Sequence, residues 1–398
     1  MNISFKYRLQ PTQAQVEVLE EQLRICRWTY NTLLDYCIDQ RKAGKGTPTH
    51  ESLTYLLPTM KARTPELSTV FSQILQNICK RIRRGFENYW ARLNHGLKAS
   101  VPHFKDRHHY RSLTYPQSGF SLRDGWLKLS KIGTLKLIRH RPIEGKVKTL
   151  TIKRTPTGKW YATFSCEVEP KPIPNREKAV GIDFGLIHLV ALSDGTTFEA
   201  PRTYRHIEAQ SRRAHRSLSR KVKGSKNRGK ARVRLARVEE KAKDRRRDLS
   251  NKIARSIVNR YEMIIVEDLR MDNMRRSRRL SKSIGDAGWG LLRSALTYMA
   301  EWSEGVMVLV DPRSTSQLCS GCGSLVPRDL SERVHRCPVC GLMLDRDVNA
   351  SRNILKRGLE IGMEHTESKP VETQPLPLGF SGWQVGSLNQ EAQPFRAG

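Results

Sequence analysis

The chain has 398 residues, and its 71 Lys and Arg against 39 Asp and Glu leave a formal net charge of +32. That length accommodates two or three domains, and a pI near 10.2 suits a protein that displaces counterions from many phosphates. A membrane surface is the alternative polyanion, but no apolar run reaches transmembrane length and no signal-peptide apolar region follows Met1, so a soluble, cytoplasmic protein is expected.

Residues 3 to 9 alternate as a strand, and Gln10-Pro11-Thr12 opens a helix with Pro in its first turn. Leu19, Leu23, Cys26, Tyr30, Leu33 and Cys37 follow at steps of three and four, predicting one buried face. A second helix is predicted from about Leu67 to Leu93 through Phe71, Ile74, Ile78, Ile82, Phe86 and Tyr89, flanked by Lys80, Arg81, Arg83 and Arg84. This basic face reads either as solvated charge or as a nucleic-acid contact. From Tyr110 to Glu169 the period changes to two, most clearly at Trp160, Ala162, Phe164, Cys166 and Val168, so several short strands should form a small β-barrel. The first strand can join that barrel, which makes the helical lobe an insertion. Residues 171 to 175 form the expected linker.

Beyond it, residues 179 to 198 read as a three-stranded meander whose first strand ends in Asp183. From Arg202 to Arg247 there are 19 Lys and Arg and four acidic residues, on two helices broken between Lys223 and Gly229. Charge this dense on a helical hairpin points to a polyanion partner. Residues 263 to 267 form a buried strand ending in Glu267, Arg270 to Lys282 a basic loop, Trp289 to Trp302 a helix and Val306 to Val310 a strand. A last helix runs from Asp347 to about Arg357, and 360 to 398, rich in Pro, Gly, Gln and Ser, are expected to be disordered.

Two C-x-x-C pairs, Cys319/Cys322 and Cys337/Cys340, are separated by 14 residues, and each is followed by a glycine, Gly323 and Gly341, able to take positive φ. Four thiolates close a tetrahedral shell, which predicts a structural Zn²⁺ without an open position. A pair of disulfides in a secreted domain is the competing reading, and the other four cysteines, Cys26, Cys37, Cys79 and Cys166, read as reduced core thiols.

With the cysteine insertion removed, the order strand, strand, strand, helices, strand, helix, strand, helix is that of an RNase H-like α/β fold. In that layout Asp183, Glu267 and Asp347 converge. Three carboxylates without a paired base suit Mg²⁺, two ions of which can activate a water and stabilise the leaving oxygen of a phosphodiester. Asp268 and Asp345 compete for the same roles, but strand alternation turns Asp268 away from the face of Glu267.

Gly181-Ile-Asp183-Phe-Gly185, Val266-Glu267-Asp268-Leu269, Thr315-Ser-Gln-Leu-Cys319-Ser-Gly-Cys322, Cys337-Pro-Val-Cys340 and Asp345-Arg-Asp347-Val-Asn349-Ala-Ser-Arg-Asn353 together resemble the TnpB family. These are transposon-encoded RNA-guided endonucleases similar to compact type V CRISPR effectors. Ser351 stands where a second alanine is common. The resemblance covers nearly the whole chain and implies a multidomain α/β protein. A wedge-type β-barrel would span 1–10 and 101–172, and a helical recognition lobe 11–100. A RuvC-like nuclease would span 173–317 and 342–359, with a zinc-ribbon, target-nucleic-acid-binding insertion at 318–341. It implies a noncoding guide RNA and double-stranded target DNA as partners, a monomer per guide RNA, and a prokaryotic, nucleoid-associated setting. Recognition would start at a flanking motif and proceed by guide pairing, with cutting by Asp183, Glu267 and Asp347 and Mg²⁺. Candidates for nucleic-acid contact are Lys6, Tyr7 and Arg8; Arg81 and Arg84; Lys221, Lys223, Lys226 and Arg228; and Arg275, Arg276, Arg278 and Arg279. A guide-directed repressor that no longer cuts and a transposase that joins DNA ends are the alternatives; the intact carboxylate set argues against the first.

Overall fold

The computed structural model describes residues 1–200, 203–269, 287–327, 329 and 332–367. They divide into two compact units that meet in sequence between Val168 and Glu169.

In the first unit β1 (Asn2–Gln10) buries Ile3, Phe5, Tyr7 and Leu9, the alternate residues of one face. Thr12 then starts α1 (Gln13–Lys42) with a reciprocal cap: its hydroxyl accepts from the Gln15 N–H, and the Gln15 side chain accepts from its own N–H at 3.0 Å. The stripe from Leu19 to Cys37 is buried as its spacing predicts. A helix absent from the sequence reading, α2 (His50–Arg63), buries only Leu53 and Leu57 and carries Pro58, too thin a stripe to stand out. The next helix starts later than expected: Pro65–Thr69 form a 3₁₀ turn, and Phe71, taken as part of the stripe, is the cap residue of α3 (Ser72–Asn94).

Six further strands complete the unit: β2 (Ser112–Tyr115), β3 (Phe120–Arg123), β4 (Trp126–Leu129), β5 (Gly133–Ile138), β6 (Lys146–Arg154) and β7 (Trp160–Glu167). Every pairing is antiparallel, in the order β2-β6-β7-β1-β5-β4-β3. The terminal strands β2 and β3 are consecutive in sequence, and the rings of Tyr115 and Phe120 meet edge-on at 6.4 Å. The sheet therefore curls into a nearly closed barrel with β1 in its middle, and Phe120 reaches Phe164 across the interior.

The second unit is built on a mixed sheet of β8 (Glu177–Asp183), β9 (His188–Leu192), β10 (Thr197–Glu199), β11 (Tyr261–Glu267) and β12 (Val306–Val310), ordered β10-β9-β8-β11-β12. The first three strands are an antiparallel meander, whereas β11 runs parallel to β8 and to β12. Helices α4 (Thr203–Ser219) and α5 (Lys226–Arg260) form the basic hairpin, and α6 (Trp289–Trp302) follows. Ile253, Ile257 and Val258 of α5 and Leu292 and Leu296 of α6 share a core with Val180, Ile182, Ile264 and Val266 on one face of the sheet. On the opposite face Ile354 and Leu355 of α7 (Arg346–Glu367) pack on Ala179, Ile265 and Val310. Residues 360–367 thus continue the helix, past the point where apolar periodicity fades; 368–398 lie outside the described residues. No helix among the described residues is long and apolar enough to cross a membrane.

Candidate active site and metal centre

The register of β8 and β11 sets Gly181 beside Ile265 and Ile182 beside Val266. One residue further, Asp183 and Glu267 stand at the same end of neighbouring parallel strands. Alternation assigns both to the face covered by α7, because Gly181 and Ile265 meet that helix. A Cβ added at Gly181 would lie 2.1 Å from the Ser351 carbonyl, and one at Gly358 2.4 Å from Ile265. Asp347 enters from the first turn of α7, its Oδ2 3.5 Å from where a Cβ of Gly185 would sit.

Glu267 and Asp347 are buried, whereas part of the Asp183 surface reaches solvent. Protein packed around Asp183, then the charges of Glu267 and Asp347, push its carboxyl up to about 8, against the opposing pull of Arg346. Burial also raises Glu267, and a hydrogen bond from Thr315 and the charge of Arg357 oppose that rise. Arg346 lies 3.3 Å from the Asp347 carboxylate. Three mutually repelling carboxylates exceed what that arginine neutralises, and an all-oxygen donor set fits a hard divalent cation such as Mg²⁺.

The two competing aspartates have other partners. Asp268 pairs with Arg293 of α6 at 3.1 Å, on the opposite face of the sheet as alternation required. Asp345 caps α7, accepting from the N–H groups of Asp347 at 2.8 Å and Val348 at 3.2 Å.

Behind Glu267 lies a framework the sequence reading missed. The buried Thr315 donates its hydroxyl proton to Glu267 Oε1, with the Pro312 carbonyl 3.1 Å from the same hydroxyl. Asn349, Asn353 and Arg357, spaced by four along one face of α7, grip the segment from Asp311 to Ser320. Asn349 donates to the Leu318 carbonyl at 2.7 Å and accepts from the Ser320 N–H at 2.9 Å. Asn353 donates to the carbonyls of Leu318 at 2.6 Å and Thr315 at 2.9 Å. Arg357 donates to those of Asp311 and Arg313. The signal available in the sequence was a polar i, i+4, i+8 series on a helix that must bury one face.

The ligand atoms of Cys319, Cys322, Cys337 and Cys340 all lie within 4.8 Å of one another. Sulfur pairs Cys319/Cys340 and Cys322/Cys337 are each 3.5 Å apart, close to the edge of about 3.8 Å that a tetrahedron with Zn–S of about 2.3 Å requires. Two matching knuckles present them. Gly323 and Gly341 have φ of 77° and 72° and donate to the carbonyls of Cys319 and Cys337, while the Cys319 and Cys337 N–H groups donate to Ser324 and Leu342. Hydrogen bonding with Ser324 holds the Cys322 thiol well below the ordinary thiol range. The donor set fits Zn²⁺, and β13 (Val334–Arg336) pairs with β14 (Met343–Asp345) on either side of the second knuckle, β14 leading into α7. All eight cysteines are free thiols, so the disulfide reading fails.

The basic candidates separate into groups. Tyr7, expected at the nucleic-acid surface, is instead fully buried in the barrel, its hydroxyl donating to the Pro142 carbonyl at 3.1 Å, which removes it from the contact set. Arg81 lies over the Tyr110 ring, its guanidinium 5.0 Å from the centroid, whereas Arg84 is exposed. Lys6 is exposed above the Tyr161 ring, and Arg8 lies 5.3 Å from the same ring. Lys221, Lys223 and Lys226 are exposed around the turn between α4 and α5. Arg228 instead staples that turn, donating to the carbonyls of Leu218 and Lys221. Arg275, Arg276, Arg278 and Arg279 lie outside the described residues.

Fold and site together define a multidomain α/β protein of the architecture seen in Cas12 effectors. Over 86% of this chain and 83% of the other, it superposes on the protein of a Cas12f1-sgRNA-target DNA complex with a TM-score of 0.57 at 16% identity. A relative from Streptomyces pristinaespiralis named "Putative RNA-guided DNA endonuclease" is 34% identical over 367 residues, 89% of each chain. "Putative RNA-guided DNA endonuclease InsQ" of Escherichia coli (strain K12) is 31% identical, covering 94% of this chain and 98% of its own. Family models match at residues 163–278 (OrfB_IS605, "Probable transposase"), 289–354 ("Cas12f1-like, TNB domain") and 1–46 ("Helix-turn-helix domain"). The chain belongs to the TnpB/IS605 OrfB family. Residues 1–46 nevertheless fold as β1 and one uninterrupted helix, α1.

Proposed function

We propose that this protein is an RNA-guided DNA endonuclease of a transposable element, hydrolysing DNA phosphodiesters with a RuvC-like carboxylate site after guide RNA pairs with its target. The observation that carries the reading is the meeting of Asp183, Glu267 and Asp347 from two adjacent parallel strands and the helix that covers them. Asp183, Glu267 and Asp347 would hold Mg²⁺, which when bound supplies an activated water and charge neutralisation at the leaving oxygen. The chain itself aligns the three carboxylates, keeps Arg346 against Asp347 and seats Glu267 on Thr315. Cys319, Cys322, Cys337 and Cys340 would hold Zn²⁺, which fixes the insertion's backbone without taking part in the chemistry.

The relatives named as RNA-guided DNA endonucleases supply the substrate class, and the charge of +32 suits a chain that holds a guide RNA and a DNA duplex together. The helices from 11 to 100 act as the recognition lobe and the barrel as the wedge. Exposed Lys6, Arg84, Lys221, Lys223 and Lys226 serve as phosphate contacts. One chain per guide RNA works in the cytoplasm of a prokaryotic cell, at the nucleoid when bound to DNA.

The test is to purify the protein with its co-expressed RNA and offer supercoiled plasmid carrying a guide-matched target. Linear product in Mg²⁺, lost with EDTA and in Asp183→Ala, supports the reading. Tight target-specific binding without cutting, across flanking-motif libraries and divalent ions, replaces it with a guide-directed repressor.

A further inference from the structure

Thr315 lies outside the carboxylate set, yet it is 1% exposed and its hydroxyl has two acceptors, the Pro312 carbonyl and, nearer, the charged Glu267 Oε1, which takes the proton more strongly. Glu267 is itself only 8% exposed, so few donors can fix which way its carboxylate faces. A threonine at this place needs no polar partner for packing alone, since valine has the same shape. What its hydroxyl adds is a hydrogen bond to a carboxylate, of the charge-assisted kind that fixes orientation strongly.

The segment carrying Thr315 is held from the facing helix. Its backbone is gripped from α7, by Asn353 at the Thr315 and Leu318 carbonyls, by Asn349 at Leu318 and Ser320, and by Arg357 at Asp311 and Arg313. Because α7 also carries Asp347, the helix sets one acidic group directly and reaches a second, on β11, through this clasp. Ligands of a metal site that are oriented by such outer hydrogen bonds lose about 10- to 100-fold in metal affinity when the outer partner is removed.

We propose that Thr315 is a positioning residue: held by the Asn349–Asn353–Arg357 face of α7, it orients Glu267 for divalent-cation binding together with Asp183 and Asp347. This rests on the reading above that Glu267 helps hold that cation.

The test is Mn²⁺ titration of the full-length, zinc-loaded chain, followed by electron paramagnetic resonance, with zinc content measured alongside. We expect Thr315→Val to weaken Mn²⁺ binding about 10-fold or more while zinc stays at the wild-type level. Thr315→Ser, which restores the hydroxyl, should bind within about twofold of wild type, a smaller change than any lost oriented ligand produces. Wild-type affinity in Thr315→Val, equally weak binding in Thr315→Ser, or loss of zinc from Thr315→Val would each overturn the proposal. So would a wild type with no Mn²⁺ site sensitive to Asp183→Ala. If instead the wild type binds Mn²⁺ but cuts no guide-matched DNA, the nuclease reading fails while the comparison of the Thr315 variants still decides this one.

Discussion

Replacing Gly181 with alanine should disable the site from two residues away. An added Cβ would stand 2.1 Å from the Ser351 carbonyl oxygen and 2.6 Å from the Leu355 nitrogen, both backbone atoms of α7. Neither can rotate aside, so strand and helix must separate by about 1 Å to reach the edge of tolerable contact. Overpacking of this kind destabilises by about 1–3 kcal/mol. The displaced helix carries Asp347 and the displaced strand carries Asp183, and a 1 Å misplacement of reacting groups costs about 100-fold in rate. Single-turnover cleavage of matched plasmid by the RNA-bound protein measures the second effect and thermal unfolding the first. Gly229→Ala is the control: that glycine lies inside α5 with nothing within 4 Å of an added Cβ. It should raise stability by up to about 1 kcal/mol without changing cleavage. Wild-type melting and wild-type cleavage in Gly181→Ala would refute the idea that close contact between β8 and α7 sets the carboxylate spacing.

Asp183 ionises more readily unfolded than folded, so its contribution to stability is fully present below the unfolded pKa near 4. It is lost as pH rises through about 8. Without divalent cations, the denaturant midpoint of the wild type should fall between pH 5 and 9, by at most about 4 kcal/mol in stability. Asp183→Asn should flatten that slope, and identical slopes would show that Asp183 is not the source. Glu267→Gln should abolish cleavage, whereas Asp268→Asn, which loses only a half-exposed pair with Arg293, should cut at close to the wild-type rate and change stability by less than about 1 kcal/mol; loss of cutting in both would reopen the assignment. Cys337→Ser should release zinc, detectable by atomic emission, and lower cleavage by loosening Leu318–Ser320, while guide-RNA binding persists; retained zinc would contradict four-thiolate binding. Tyr7→Phe should cost about 1 kcal/mol of stability through its lost hydrogen bond and leave RNA affinity unchanged; a large drop in affinity would restore Tyr7 as a contact.

What could be read from the sequence was whatever a short period encodes. Strands β7 and β11 and the stripe of α1 announce themselves because burial repeats every two or every three to four residues. Helix α2 does not, since Leu53 and Leu57 are its only buried residues. The same parity that places Phe5 and Leu9 inside the barrel places Tyr7 there, so its burial was legible and went unused. Asp183 and Glu267 could be singled out as acids closing apolar strands. That they stand on adjacent strands in matching register is a tertiary fact which no local period contains. Thr315 was hidden for the same reason: its partner lies 48 residues away.

The cysteine insertion leaves the chain between β12 and α7, and both of its ends are tied to the site. At its entrance, Leu318 and Ser320 flank Cys319 and are held by Asn349 and Asn353. At its exit, Asp345 ends β14 and caps the helix whose first turn carries Asp347. A zinc ion held by the four thiolates would therefore close a loop whose two stems hold Thr315 and Asp347. Loosening the knuckles should disturb the acidic groups more than their distance in sequence from Asp183 implies. On this geometry the insertion would brace the carboxylates, since its first knuckle begins only four residues after the threonine that contacts Glu267.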